Sequence, residues 1–431
     1  MSVVVRYGSS GQLTLALADE RLVGVCGIAA SPTGGDATGD VFVDLESPEF
    51  AARVRAALDQ PLEFPDFSQA VVVGDHVTIV VEPDVPQAAL LVTAVAERLL
   101  AGGVAPDSIT VLHVDELAPI VVRVHDGANL VTAGAADSPT TSMTAATHSL
   151  RLEKHVPADR GKLSFLANTR SGRPVYLNRL VTDADMVVSV GCYRGADAWT
   201  YRGIFGGIYP TFSDTETLQR YRNAHLLDVD DEAFAKSQQE IELVGWQSGL
   251  QATVQVLPGP DGTATVVAGE MRTVRYRAAQ VWNSTWRYTL PKPSDLVVVA
   301  LPGQDSQTWR HVGRALAAAL PLVDEGGAVA LCTDLSESPG KAFEALRKID
   351  DRDTAVAEIR KVRPEDAFPA LMLDRVQRRA RVYLLSRLDP TLVEELGIAR
   401  VEEPVEIERL VQRRKSCIVL GNAQFAEPQL G

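Results

Sequence analysis

The chain has 431 residues, 46% of them hydrophobic, which is enough for two or three domains with cores of ordinary size. Its 56 acidic residues outnumber 42 basic ones, and the formal charge of −14 argues against non-specific nucleic-acid binding, which needs a basic footprint. No apolar run is long enough for a membrane span, the start MSVVVRYGSS has no signal-peptide layout, and the four cysteines (Cys26, Cys192, Cys332, Cys417) form no CxxC pair. We therefore expect a cytoplasmic protein with no nucleic-acid or membrane partner, no zinc knuckle and no disulfide scaffold.

Residues 1 to about 70 read as an entry module. Val3 to Tyr7 and Leu13 to Leu17 are short strand patterns around the turn Gly8-Ser9-Ser10-Gly11. Pro48 to Leu58 has apolar residues at helical spacing. The α/β pattern starts at His76 to Val81, a mostly apolar run that reads as a parallel strand buried on both faces. A helix over Ala88 to Ala101, stopped by Gly102-Gly103, and a strand over Ile109 to Leu112 complete a βαβ unit. Residues 127 to 147 are small and polar and read as a surface loop.

Val175 to Val181 reads as a short helix, and Met186 to Val190 as a buried strand ended by Gly191. A polar, glycine-rich loop runs from Cys192 to Thr211, and loops of that length inside a compact domain often carry function. Helices follow over Thr215 to Asp228 and Asp230 to Leu243, then a hairpin from Gly249 to Ala268. Met271 to Tyr288 is a long helix with Trp282 and Trp286 one turn apart, a placement that suits packing between domains. A second α/β pattern begins at Asp295 to Leu301 and closes with Cys417 to Asn422. The expected division is 1–270, a crossing helix and linker over 271–293, and 294–431.

The site is expected where loops leave the carboxyl ends of strands. In the long loop, Gly206 and Gly207 would let backbone N–H groups approach an anion, and Arg194 and Arg202 would supply a guanidinium fork. Asp197 and Tyr201 add proton-transfer groups. After the first core strand, Glu82 and Asp84 are binding candidates that also suit the capping of the next helix. His113 follows the next strand. Arg310 and His311 open a helix of the second domain and form a basic cluster, or else a solvated helical face. His155 and His225 complete the list of titratable candidates.

One stretch resembles a known family. GRPVYLNRLVTDADMVVSVG (172–191) is similar to the core of the nickel-dependent lactate racemases, which read much like GTPVYVNRLVAEADLVIAVG. The run from His155 to Leu166 and the second-domain strand and helix resemble the same family in order. The resemblance implies two α/β domains with a cleft between them, and a nickel pincer nucleotide tethered to a lysine, with histidines as ligand, acid and base. Laid on this chain, the tethering lysine falls on Gly206, in the cleft, and the loop histidine on Ala196. The arginine of the D-x-T-R-P loop falls on Val85, with Glu82 at its acid. The glutamine and lysine of the second-domain Y-Q-x-x-K fall on Arg310 and Gly313. The helix histidine, a metal ligand in the family, falls near His225.

The scaffold is kept and the chemistry departs from it. We expect a lactate racemase-like protein of divergent active site, without a cofactor, that binds a small anionic molecule in the cleft. The nickel pincer nucleotide returns only if the loop aligns differently. Two alternatives stand beside this. One is a racemase or epimerase of a 2-hydroxy acid with relocated residues such as His113, His155 or His225. The other is a cofactor-independent enzyme built on Glu82, Asp197, Tyr201 and Arg202.

Overall fold

The computed structural model describes residues 2–28, 47–115, 117–125, 145–195, 204–224, 231–260, 263–303 and 307–431. Strands β1 (Ser2–Tyr7) and β2 (Gly11–Ala16) form a hairpin, followed by β3 (Leu22–Cys26). Helix α1 (Pro48–Asp59) starts with proline at its first position and the Ser47 side chain accepting from the Phe50 N–H, a good N-terminal cap. The βαβ unit is β4 (Val77–Val81), α2 (Ala88–Ala101) and β5 (Ile109–His113). A hairpin of β6 (Val121–His125) and β7 (Ala145–Ser149) leads to β8 (Arg151–Lys154).

Next come β9 (Leu163–Asn168), β10 (Pro174–Asn178), the single turn α3 (Arg179–Thr182) and β11 (Met186–Cys192). The run Val175 to Val181, expected as helix, is mostly strand. Its first half pairs antiparallel with β9, and Asn178 then caps α3 by accepting from the Leu180 N–H. Strand β11 also runs past Gly191 to Cys192. Helices α4 (Thr215–Ala224) and α5 (Asp231–Gln247) precede the hairpin β12 (Leu250–Pro258) and β13 (Ala264–Glu270). The long helix α6 (Met271–Trp286) ends in β14 (Arg287–Leu290).

The remaining chain holds β15 (Ser294–Ala300), α7 (Trp309–Ala319), β16 (Val323–Cys332), α8 (Lys341–Lys348), α9 (Arg352–Val362) and α10 (Ala367–Arg379). It continues with β17 (Arg381–Leu385), α11 (Pro390–Glu395), β18 (Ala399–Val401), α12 (Pro404–Arg413), β19 (Cys417–Leu420) and β20 (Glu427–Leu430).

These strands build two six-stranded sheets. The first has the order β13-β12-β11-β4-β5-β8 and is parallel except for β13. The second, β18-β17-β16-β15-β19-β3, is parallel throughout. All five residues of β4 are buried, as expected of a parallel strand covered on both faces. Membership of the second sheet differs from a division by chain order. Strand β3 pairs with β19, and Val3, Val5, Leu13 and Leu15 share a core with Leu296 and Val298 of β15. Residues 2–28 thus pack with the second sheet, although the sequence reading grouped them with residues 1–270.

The chain end returns to the crossing helix. Trp282 and Trp286 pack against Phe425, whose ring lies 5.4 Å from that of Trp286, and the Trp282 indole donates to Glu427 at 2.7 Å. Strand β20 pairs with β14. No helix among the described residues is long and apolar enough to cross a membrane.

Candidate functional site

Each sheet has a point where its strand order reverses. In the first, β4 lies between β5 and β11; in the second, β15 lies between β16 and β19. Loops on the two sides of such a point diverge and leave a crevice beyond the strand ends. The two crevices meet. A cavity of about 160 Å³ is lined by Asp84 and Val85 after β4, Arg194 after β11, Pro302 after β15, Gln424 after β19, and His311 on α7.

Arg194 is the unusual group there. It is 5% exposed, and its Nε and Nη1 have no hydrogen-bond partner among the described residues. Its Nη2 reaches the Asp84 carbonyl at 3.4 Å, and the guanidinium carbon lies 5.4 Å from the Phe425 ring centre. A buried cation is costly unless it is paired. Gln424 Oε1, on the same cavity wall, is a buried acceptor without a partner among the described residues.

The second basic element is the start of α7. Thr308 is its cap, and its N–H donates to His311 Nδ1 at 3.2 Å, closing a capping box. That bond places the proton of the neutral ring on Nε2, a donor. Burial, and then the guanidinium groups of Arg194, Arg314 and Arg310, push His311 down to about 3 against the pull of Asp84. Arg310 pairs with Asp84 at 2.8 Å, and this bond ties the second sheet's helix to the first sheet's loop. Asp84 holds a positive φ of 56°, a strained value for a residue with a Cβ, and its N–H donates to Asp115 at 2.8 Å. Asp84, Arg194, Arg310 and His311, chosen from the sequence as ligand-binding candidates, are thus brought together.

Other candidates have different surroundings. Glu82 is buried and accepts from Gln255 Nε2 at 3.1 Å. A Cβ on Gly191 or Gly207 would overlap its carboxyl group, so these glycines make room for Glu82. The Gly206 carbonyl accepts from Thr211 Oγ1 at 2.6 Å, and neither Gly206 nor Gly207 lines the small cavity or the larger one beside it. His155 is buried with both ring nitrogens engaged. Nδ1 accepts from Asn178 at 3.1 Å, and Nε2 donates to the Ser213 carbonyl at 2.9 Å. Burial lowers its pKa, although the Ser213 carbonyl opposes this. His113 donates from Nδ1 to the Asp115 carbonyl at 2.7 Å. Asp197, Tyr201, Arg202 and His225 lie outside the described residues, as does Ala196.

Gln424 and Phe425 were not singled out from the sequence. Their one signal is their position just after the final buried strand, since neither an amide nor a lone ring forms a motif.

Among the described residues, no group of three histidine, cysteine or acidic side chains is placed to hold a metal ion. The sequence has no lysine between Lys162 and Lys236, so the turn around Gly206 has no amine to carry a tethered group.

Residues 141–233 match the model of the lactate racemase N-terminal domain. The whole chain is similar in structure to the lactate racemase apoprotein from Thermoanaerobacterium thermosaccharolyticum, with a TM-score of 0.70 and 13% identity over 100% of both chains. A protein from Thermotoga maritima is similar at a TM-score of 0.60 and 12% identity, over 88% of this chain and 98% of that one. No curated protein sequence matches. Identities this low speak for fold alone. Residues 141–233 thus resemble the lactate racemase N-terminal domain, and the whole chain shares the fold of the lactate racemase apoprotein.

Proposed function

We propose that the protein binds a small oxyanion, a carboxylate or a phosphate, in the cavity where the two switch points meet. The observation that carries this reading is the buried Arg194 guanidinium with two nitrogens lacking partners in that cavity. A planar fork of donors suits either oxyanion, and the donor Nε2 of His311 lies on the same wall.

The nickel-pincer route is not part of this proposal. The residues present do not fit a lysine-tethered group: the turn around Gly206, where the resemblance places the tether, lies in a stretch with no lysine between Lys162 and Lys236. A racemase with relocated histidines draws less support, since both nitrogens of His155 are already engaged. Intact mass and metal analysis after co-expression with cofactor-making enzymes should give the bare chain without nickel. A nucleotide-sized adduct with about one nickel per chain would restore the racemase reading.

Calorimetric titration with phosphate and with acetate tests the site. The wild type should show one saturable site that the Arg194→Met variant lacks. Equal heats in both proteins would refute the assignment.

A further inference from the structure

A second, larger cavity adjoins the first. It has a volume of about 970 Å³ and shares Asp84 and Thr308 with the small one in its walls. The sizes differ in what they admit. A cavity of about 150 Å³ takes a molecule the size of benzene, six heavy atoms. The inner space of about 160 Å³ is therefore filled by an acid head and little more. The outer space of about 970 Å³ is at the upper end of ordinary small-molecule sites.

The walls differ as well. The inner cavity offers Arg194 with its unpartnered nitrogens. The outer one carries both signs, with Lys154, Lys341 and Arg363 against Asp115, Glu337 and Glu365. A wall of that kind favours a body with donors and acceptors over a uniformly charged or apolar one. At the junction stands the Asp84 carboxylate, held by Arg310. A second negative charge next to the head would face that carboxylate, whereas a hydroxyl or amine would donate to it.

We infer that the natural ligand is an extended organic acid: an oxyanion head in the inner cavity, and a hydroxylated or amine-bearing body that passes Asp84 and Thr308 into the outer one. This rests on the oxyanion reading of the inner site and adds the size and polarity of the ligand.

Head-matched pairs of probes test it by calorimetric titration of the full chain: phosphate against glucose 6-phosphate, and acetate against gluconate. The extended member of each pair should bind at least tenfold tighter, and Arg194→Met should abolish that binding. Binding of the extended probes alone, lost in Arg194→Met, would support the inference equally. Equal affinities within a pair, or exclusion of the extended member, would overturn the inference and leave the oxyanion site standing. Extended probes that still bind Arg194→Met would overturn the placement of the head. Failure of all four probes to bind the wild type would overturn the oxyanion reading along with the inference.

Discussion

Two charged side chains are buried just beyond the ends of neighbouring strands, Glu82 after β4 and Arg194 after β11, and they are treated differently. Glu82 is 6% exposed and is met by Gln255 and by two glycines that clear space for it. Arg194 is 5% exposed and keeps two nitrogens without partners among the described residues. Burial alone does not separate a structural charge from a binding one. What separates them is whether the chain itself completes the hydrogen bonds.

The largest expected effect is on binding. Arg194→Met should weaken phosphate binding about 100-fold or more, which is about 2.8 kcal/mol in calorimetric titration. The next effect is a contrast of sign. Arg194→Met removes an unsatisfied buried cation and should raise the stability of the ligand-free protein by about 1–3 kcal/mol in urea unfolding. Glu82→Leu strips Gln255 of an acceptor and should lower stability by a similar amount, about 1–3 kcal/mol. Losses of the same sign in both variants would erase the distinction drawn between the two residues.

A smaller effect is graded by pH. Below 6.5 an unfolded His311 takes a proton that the folded ring refuses until about 3. The unfolded state then binds more protons, so stability falls as pH drops through that window, by up to roughly 1.4 kcal/mol per unit. His311→Gln keeps an acceptor for the Thr308 N–H and should flatten this part of the profile. The smallest effect concerns the Arg310–Asp84 pair, in which the Arg310 side chain is 45% exposed. Asp84→Asn should cost less than about 1 kcal/mol in stability. It should also tighten phosphate binding a few-fold, since a neighbouring negative charge is removed.

Much of the scaffold was legible because parallel strands covered on both faces give near-continuous apolar runs, as in residues 79–81 and 296–300. Val175 to Val181 was misread because a short apolar run does not reveal its period, and here a strand passes into one helical turn at Asn178. Strand β3 was missed because its partner, Cys417–Leu420, lies at the far end of the chain. In the site, Asp84 and Arg194 were legible as charges following strands, and Arg310 and His311 as charges opening a helix. Gly206 and Gly207 were read as an anion cradle. At Gly207 and Gly191, however, the missing side chain serves the fit of Glu82, which is a packing requirement that composition does not express.

The central claim is that Arg194 holds an oxyanion between the two switch points. The most direct test is a crystal structure of the protein grown with selenate, with the anion located by its anomalous signal. The account predicts a peak in the small cavity within hydrogen-bond distance of Arg194 Nε or Nη1. A cavity without a peak, with the Arg194 guanidinium turned onto a carboxylate of the chain, would contradict it.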